Sequence, residues 1–109
     1  MSIKIREPEP THEVSLSKQG WLEVLAFLTE SLDTVSAEAL ALTAEAVIKA
    51  AREFVLSKGQ TPEFKFSLSR EQTLDLYLFF GEYRDVVKEN TVLNGVQAGF
   101  KSFLLGGSE

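Results

Sequence analysis

The chain has 109 residues, 44% apolar and 25% charged, with a net charge of −5 and no cysteine. This is the profile of one small folded domain, and it excludes wholesale disorder, disulfides, cysteine-held zinc and thiol nucleophiles. No apolar run approaches the roughly 18 residues needed to cross a bilayer, and residues 1–8 lack the apolar centre of a secretion signal, so a cytoplasmic protein without membrane contact is expected.

Residues 1–12, with two prolines, read as a mobile arm ahead of the first repeat. From Glu13 the pattern alternates: Val14 and Leu16 point one way, and Glu13, Ser15 and Ser17 the other. This predicts a strand with one buried face. Ser17 is suited to cap a helix that follows at once and carries Trp21, Leu22, Val24, Leu25, Phe27, Leu28 and Leu32. That is more apolar surface than one stripe needs, so burial on most sides is expected. A second helix is predicted from Ser36, its cap, to Gly59. Its stripe is Leu40, Ala44, Val47, Ile48, Ala51, Phe54 and Val55, with Lys58 near its negative end.

After a short linker at residues 59–62 the pattern returns. Phe64, Phe66 and Leu68 alternate with Lys65, Ser67 and Ser69, and Pro62 suits the start of a strand. Ser69 and Gln72 form a capping box for a helix carrying Leu74, Leu76, Tyr77, Leu78, Phe79, Phe80 and Tyr83. A last helix has the stripe Val92, Val96, Gly99, Phe100, Phe103 and Leu104, interrupted by the turn-prone pair Asn94-Gly95 and closed by Gly106-Gly107.

The two halves are copies. An offset of 52 positions superposes Val14-Ser15-Leu16-Ser17-Lys18 on Phe66-Ser67-Leu68-Ser69-Arg70. Without a gap, Leu22 then meets Leu74, Glu23 meets Asp75, Phe27 meets Phe79, Glu30 meets Glu82 and Asp33 meets Asp85. Ala46 and Lys49 meet Ala98 and Lys101. The chain therefore divides into a repeat at residues 13–59 and a second at 63–109, sharing one core.

A half-buried strand, a capped helix, a turn and a second amphipathic helix, with Leu16-Ser17 followed by Ser36 and Leu68-Ser69 by Asn90-Thr91, resembles the ribbon-helix-helix family. The resemblance implies a mainly α fold with a short two-stranded antiparallel ribbon, its duplicated strand-helix-helix units forming one pseudo-two-fold domain. It further implies a non-enzymatic transcriptional regulator that inserts the outer ribbon face, Glu13, Ser15, Lys65 and Ser67, into the DNA major groove. The second helices would hold phosphates at Ser36 and at Asn90 or Thr91.

Three features oppose that use. The acidic excess is spread over both repeats, −3 in residues 13–59 and −2 in residues 63–109. DNA affinity normally rests on basic residues. Only Lys65 is basic on the ribbon, and Asp33, Glu38, Asp85 and Glu89 crowd the anchors, although Lys4 and Arg6 in the arm could compensate. The alternative is an acidic protein-interaction module on the same scaffold.

The remaining candidates are weaker. His12, the single histidine, has no partner for a transition metal and suits an exposed or capping role. Glu30 with Asp33 and Glu82 with Asp85, each spaced i,i+3, read as paired carboxylates on one helix face. The serines lack a histidine base, and no glycine motif cradles a phosphate, so neither catalysis nor a cofactor is expected. Tyr77, Phe80 and Tyr83 are candidate interface aromatics for self-association or an unidentified protein partner.

Overall fold

The computed structural model describes residues 11–57 and 62–106. Residues 1–10 of the predicted arm, with Lys4 and Arg6, lie outside them, as do Lys58, Gly59 and Gly107; the arm's last residue, His12, instead opens the first strand. The elements run β1 (His12–Ser17), α1 (Lys18–Ser31), a single 3-10 turn (Leu32–Thr34), α2 (Glu38–Leu56), β2 (Glu63–Leu68), α3 (Arg70–Glu82), α4 (Arg84–Glu89) and α5 (Thr91–Leu104). The described residues are thus mainly helical, with one two-stranded sheet among them.

β1 and β2 pair antiparallel, with His12 opposite Leu68, Val14 opposite Phe66 and Leu16 opposite Phe64. Alternation then sends these six side chains to the inner face and Glu13, Ser15, Ser17, Glu63, Lys65 and Ser67 to the outer one. The centre of the ladder pairs Val14 with Phe66, the residues that the 52-position offset superposes. Two more such pairs meet in the interior. Phe27 packs edge-on against Phe79 with ring centroids 5.8 Å apart, and the Tyr83 hydroxyl donates to the Ser31 carbonyl at 2.9 Å.

Both first helices start where the strands end. The Ser17 hydroxyl accepts from the Gly20 amide at 3.3 Å. Ser69 and Gln72 exchange two bonds of 3.0 and 2.9 Å in a complete capping box. Packing crosses between the halves: α2 lies on α1 and α3, and α5 on α3 and α1. The shared core is built on Trp21, Phe27, Leu28, Leu68, Leu76, Phe79, Phe80, Leu93 and Phe100. Trp21 ties the halves together, because its buried indole N–H donates to the Phe64 carbonyl at 2.9 Å.

Several expectations need correction. Ser36 does not cap α2; that helix begins at Glu38 with Ala37 at the cap position and no side-chain cap. The interval before α5 contains an extra six-residue helix, α4, produced by a break at Tyr83 (φ −121°, ψ 42°). That break also separates Glu82 from Asp85, which therefore do not share one helix face. Asn94-Gly95 does not interrupt α5. Nor are the first helices buried on most sides: Leu22 is 43%, Leu74 45% and Leu78 48% exposed.

His12 is neither exposed nor a cap. It is half-buried on the inner ribbon face, with its ring centroid 5.6 Å from that of Phe100 and 5.3 Å from that of Phe103. The ring lies against Gly99, where an added Cβ would meet its Nε2 at 3.4 Å. Burial among these rings disfavours the imidazolium and lowers the His12 pKa. Between the folded and unfolded pKa values the unfolded chain binds more protons, so this contribution to stability is full above about 6.5 and is lost as pH falls through the folded value. Urea titrations should show stability declining as pH falls below about 6.5, and His12→Phe should flatten that decline.

Candidate ribbon and helix-terminus site

The ladder register brings the four predicted ribbon residues together. Glu13 lies opposite Ser67 and Ser15 opposite Lys65 on the outer face. Glu13, Lys65 and Ser67 are exposed and Ser15 is half-exposed. The strand begins one residue earlier than Phe64, which adds Glu63 to the same face, opposite Ser17. The Ser15 hydroxyl donates to Glu63 Oε1 at 2.8 Å. The charged side chains of the face are therefore two carboxylates and one ammonium. Its acidic member Glu63 was legible in sequence, because the alternation of β2 extends back to it.

The expected phosphate anchors sit at two different helix starts. At α2 the Ser36 amide donates to Glu82 Oε1 at 3.0 Å, and its hydroxyl donates to Glu82 Oε2. A carboxylate from the end of α3 thus occupies the position where an anion would approach these donors. At α5 Asn90 is the cap, its Oδ1 accepting from the Leu93 amide at 3.1 Å. Its side-chain amide donates to Glu23 Oε1 on α1 at 2.9 Å. Thr91 is the first residue of the helix and is exposed.

In both places a carboxylate from the first helix of one half reaches the start of the second helix of the other. Asp75, 52 positions after Glu23, also bonds across the halves but further along its helix, accepting from Thr43 in the second turn of α2 at 2.8 Å. An acidic group near a helix N-terminus is favoured by the helix dipole and by the unpaired amides there. Sequence reasoning recognised the crowding of acidic residues but not Glu82 and Glu23, because those contacts are between halves and leave no local pattern.

Thr91 reaches the ribbon. With Val92, Gly95, Val96 and Gly99 on α5 it lines a groove of about 360 Å³ along β1, whose other wall includes Glu13, Val14 and Ser15. Ser36 lines a different groove, of about 760 Å³, between the start of α2, α3 and α5. Tyr77, Leu78, Glu82, Arg84 and Lys101 line it too.

The three candidate aromatics have separate fates. Phe80 is 1% exposed and packs on Phe27 and Phe100, so it presents no surface to a partner. Tyr83 is half-buried, with its hydroxyl at 2.7 Å from Thr34 Oγ1 as well as bound to Ser31. Tyr77 lines the open groove beside α2, and Tyr83 lines a shallow concavity at the turn between α3 and α4. Among the described residues no group of three histidine, cysteine, aspartate or glutamate side chains is placed to hold a metal ion. No helix among them is long and apolar enough to cross a membrane.

Known proteins give no guide here. The chain matches no family model, no curated protein and no solved structure.

The Glu82 contact has a measurable consequence. Removing the carboxylate strands two donors near the surface, where water replaces part of the loss. Glu82→Ala should therefore cost about 1 kcal/mol in urea unfolding, with faster hydrogen exchange at the Ser36 amide.

Proposed function

We propose that the chain is a duplicated ribbon-helix-helix unit, a pseudo-dimer within one polypeptide, whose ribbon binds a protein partner carrying basic residues. The duplication is supported by the contacts between superposed residues. Val14 with Phe66, Phe27 with Phe79 and Ser31 with Tyr83 are the pairs that a two-fold axis relating the halves would bring onto itself. The ladder is symmetric about the first of them: Glu13–Ser67 becomes Lys65–Ser15 when the halves are exchanged.

The observation that carries the functional reading is the occupation of the Ser36 and Asn90 anchors by carboxylates. Glu82 holds both donors of Ser36, and Glu23 holds the Asn90 side chain. On a duplex, phosphates would have to displace or approach these charges, while Glu13 and Glu63 faced the groove. Neither is compatible with the phosphate neutralisation on which DNA affinity rests. The same carboxylates suit a basic polypeptide segment laid across the ribbon.

A DNA-binding regulator is the second reading, favoured by the exposed Lys65 at the middle of the outer face, opposite Ser15. One experiment separates the two. The purified chain is panned against a random duplex pool at low and at higher salt, and in parallel against a displayed random-peptide library. The protein reading predicts no duplex retention at either salt. It also predicts enriched Lys- or Arg-containing peptides, whose binding is lost on Glu13→Lys with Glu63→Lys. An enriched duplex motif that weakens with salt and disappears on Lys65→Ala would overturn it and establish the regulator.

A further inference from the structure

The outer face of α3 carries a stripe with a defined charge order. Arg70, Leu74, Leu78 and Glu82 follow one another at intervals of four residues, and all four are exposed, the leucines by 45% and 48%. Residues spaced by four form a continuous ridge on a helix. This ridge reads cation, apolar, apolar, anion. The first repeat preserves the order on α1 as Lys18, Leu22, Ala26 and Glu30, but with alanine at the third position.

We propose that this ridge is a homodimer surface, on which α3 of a second copy of the chain packs antiparallel. A ridge of this composition is complementary to itself in one direction only. Turned end for end by a two-fold axis, Arg70 faces the partner's Glu82, Leu74 faces the partner's Leu78, and the reciprocal contacts follow. In a parallel arrangement arginine would face arginine and glutamate would face glutamate, so charge order selects the antiparallel mate.

The two charged ends are already held in place. One Arg70 Nη2 N–H donates to the Leu104 carbonyl at 2.7 Å, and the guanidinium carries further donors. Glu82 is held by Ser36. Little side-chain freedom is therefore lost when they pair across an interface.

The surface beside the ridge is shaped to receive an opposing one. A concavity lined by Arg70, Glu71, Leu74 and Leu104 lies at one end, and the larger groove lined by Tyr77, Leu78, Ala98 and Lys101 at the other. Leu105, 75% exposed just beyond α5, adds apolar surface next to Leu104. Packing of such ridges into grooves gives helix crossings near −50°. The α1 stripe is the poorer surface, because Ala26 replaces the second leucine and Lys18 is half-buried with its Nζ donating to the Ser57 carbonyl at 2.8 Å.

The test uses sedimentation equilibrium over a range of protein concentrations, with circular dichroism to confirm that each variant is folded. The wild-type chain should sediment as a dimer, Leu78→Asp as a monomer, and Leu22→Asp, at the α1 position equivalent to Leu74, as a dimer. The chain has no cysteine, so register can be read by oxidation. A mixture of single Leu74→Cys and Leu78→Cys variants should give the crossed disulfide dimer in preference to either self-linked one. A monomeric wild type, a dimer unaffected by Leu78→Asp, or preferential self-linking of each cysteine variant would overturn the proposal.

Discussion

The pairing of β1 with β2 is the constraint from which the rest of the structure follows. The strands come from opposite halves of the chain, and a two-stranded ribbon is at best marginally stable alone in water. It persists because its inner face is roofed by helices from both halves. Val14 and Leu68 are buried there, and Leu16, Phe64 and Phe66 are packed against the same core. The Trp21 indole makes the dependence concrete: its ring belongs to the first half, and the carbonyl it donates to belongs to β2 of the second. Neither half has a complete core of its own.

The same interleaving explains the acidic side chains at the helix starts. Because second helices lie against first helices of the opposite half, their N-termini fall within reach of Glu82 and Glu23. These contacts stabilise the folded chain and take up the donors of Ser36 and the Asn90 side chain. The outer face of the ribbon is left with Glu13 and Glu63 against Lys65, and the proposed preference for a basic polypeptide rests on the sign of that balance.

Much of the local structure was legible in the sequence because local signals decide it. The alternation around Val14 and Phe66 and the caps at Ser17 and Ser69 act over a few residues, and each was found where expected. The Ser36 cap failed for a tertiary reason: Glu82 competes for the serine, and the helix opens at Ala37 instead. The α4 helix was hidden because the Tyr83 break depends on Ser31 and Thr34, distant in sequence. Asn94-Gly95 stayed helical because α5 is held on the core by Leu93, Phe100 and Phe103 on either side of the pair. The exposure of Leu74 and Leu78 could not be read from periodicity, since an apolar residue on a crowded helix looks the same whether it meets the core or solvent. Of the site, the ribbon face was legible and the occupied anchors were not.

The central claim, that the two halves fold only upon each other, is tested most directly by separating them. Residues 1–59 and 60–109 would be produced as independent chains and followed by circular dichroism and by the fluorescence of Trp21, the single tryptophan. The interlocked core predicts little helix in either piece as a monomer, and recovery of helicity with burial of Trp21 when the two are mixed. A monomeric half with native-like helix content, and no change on adding the other, would contradict it.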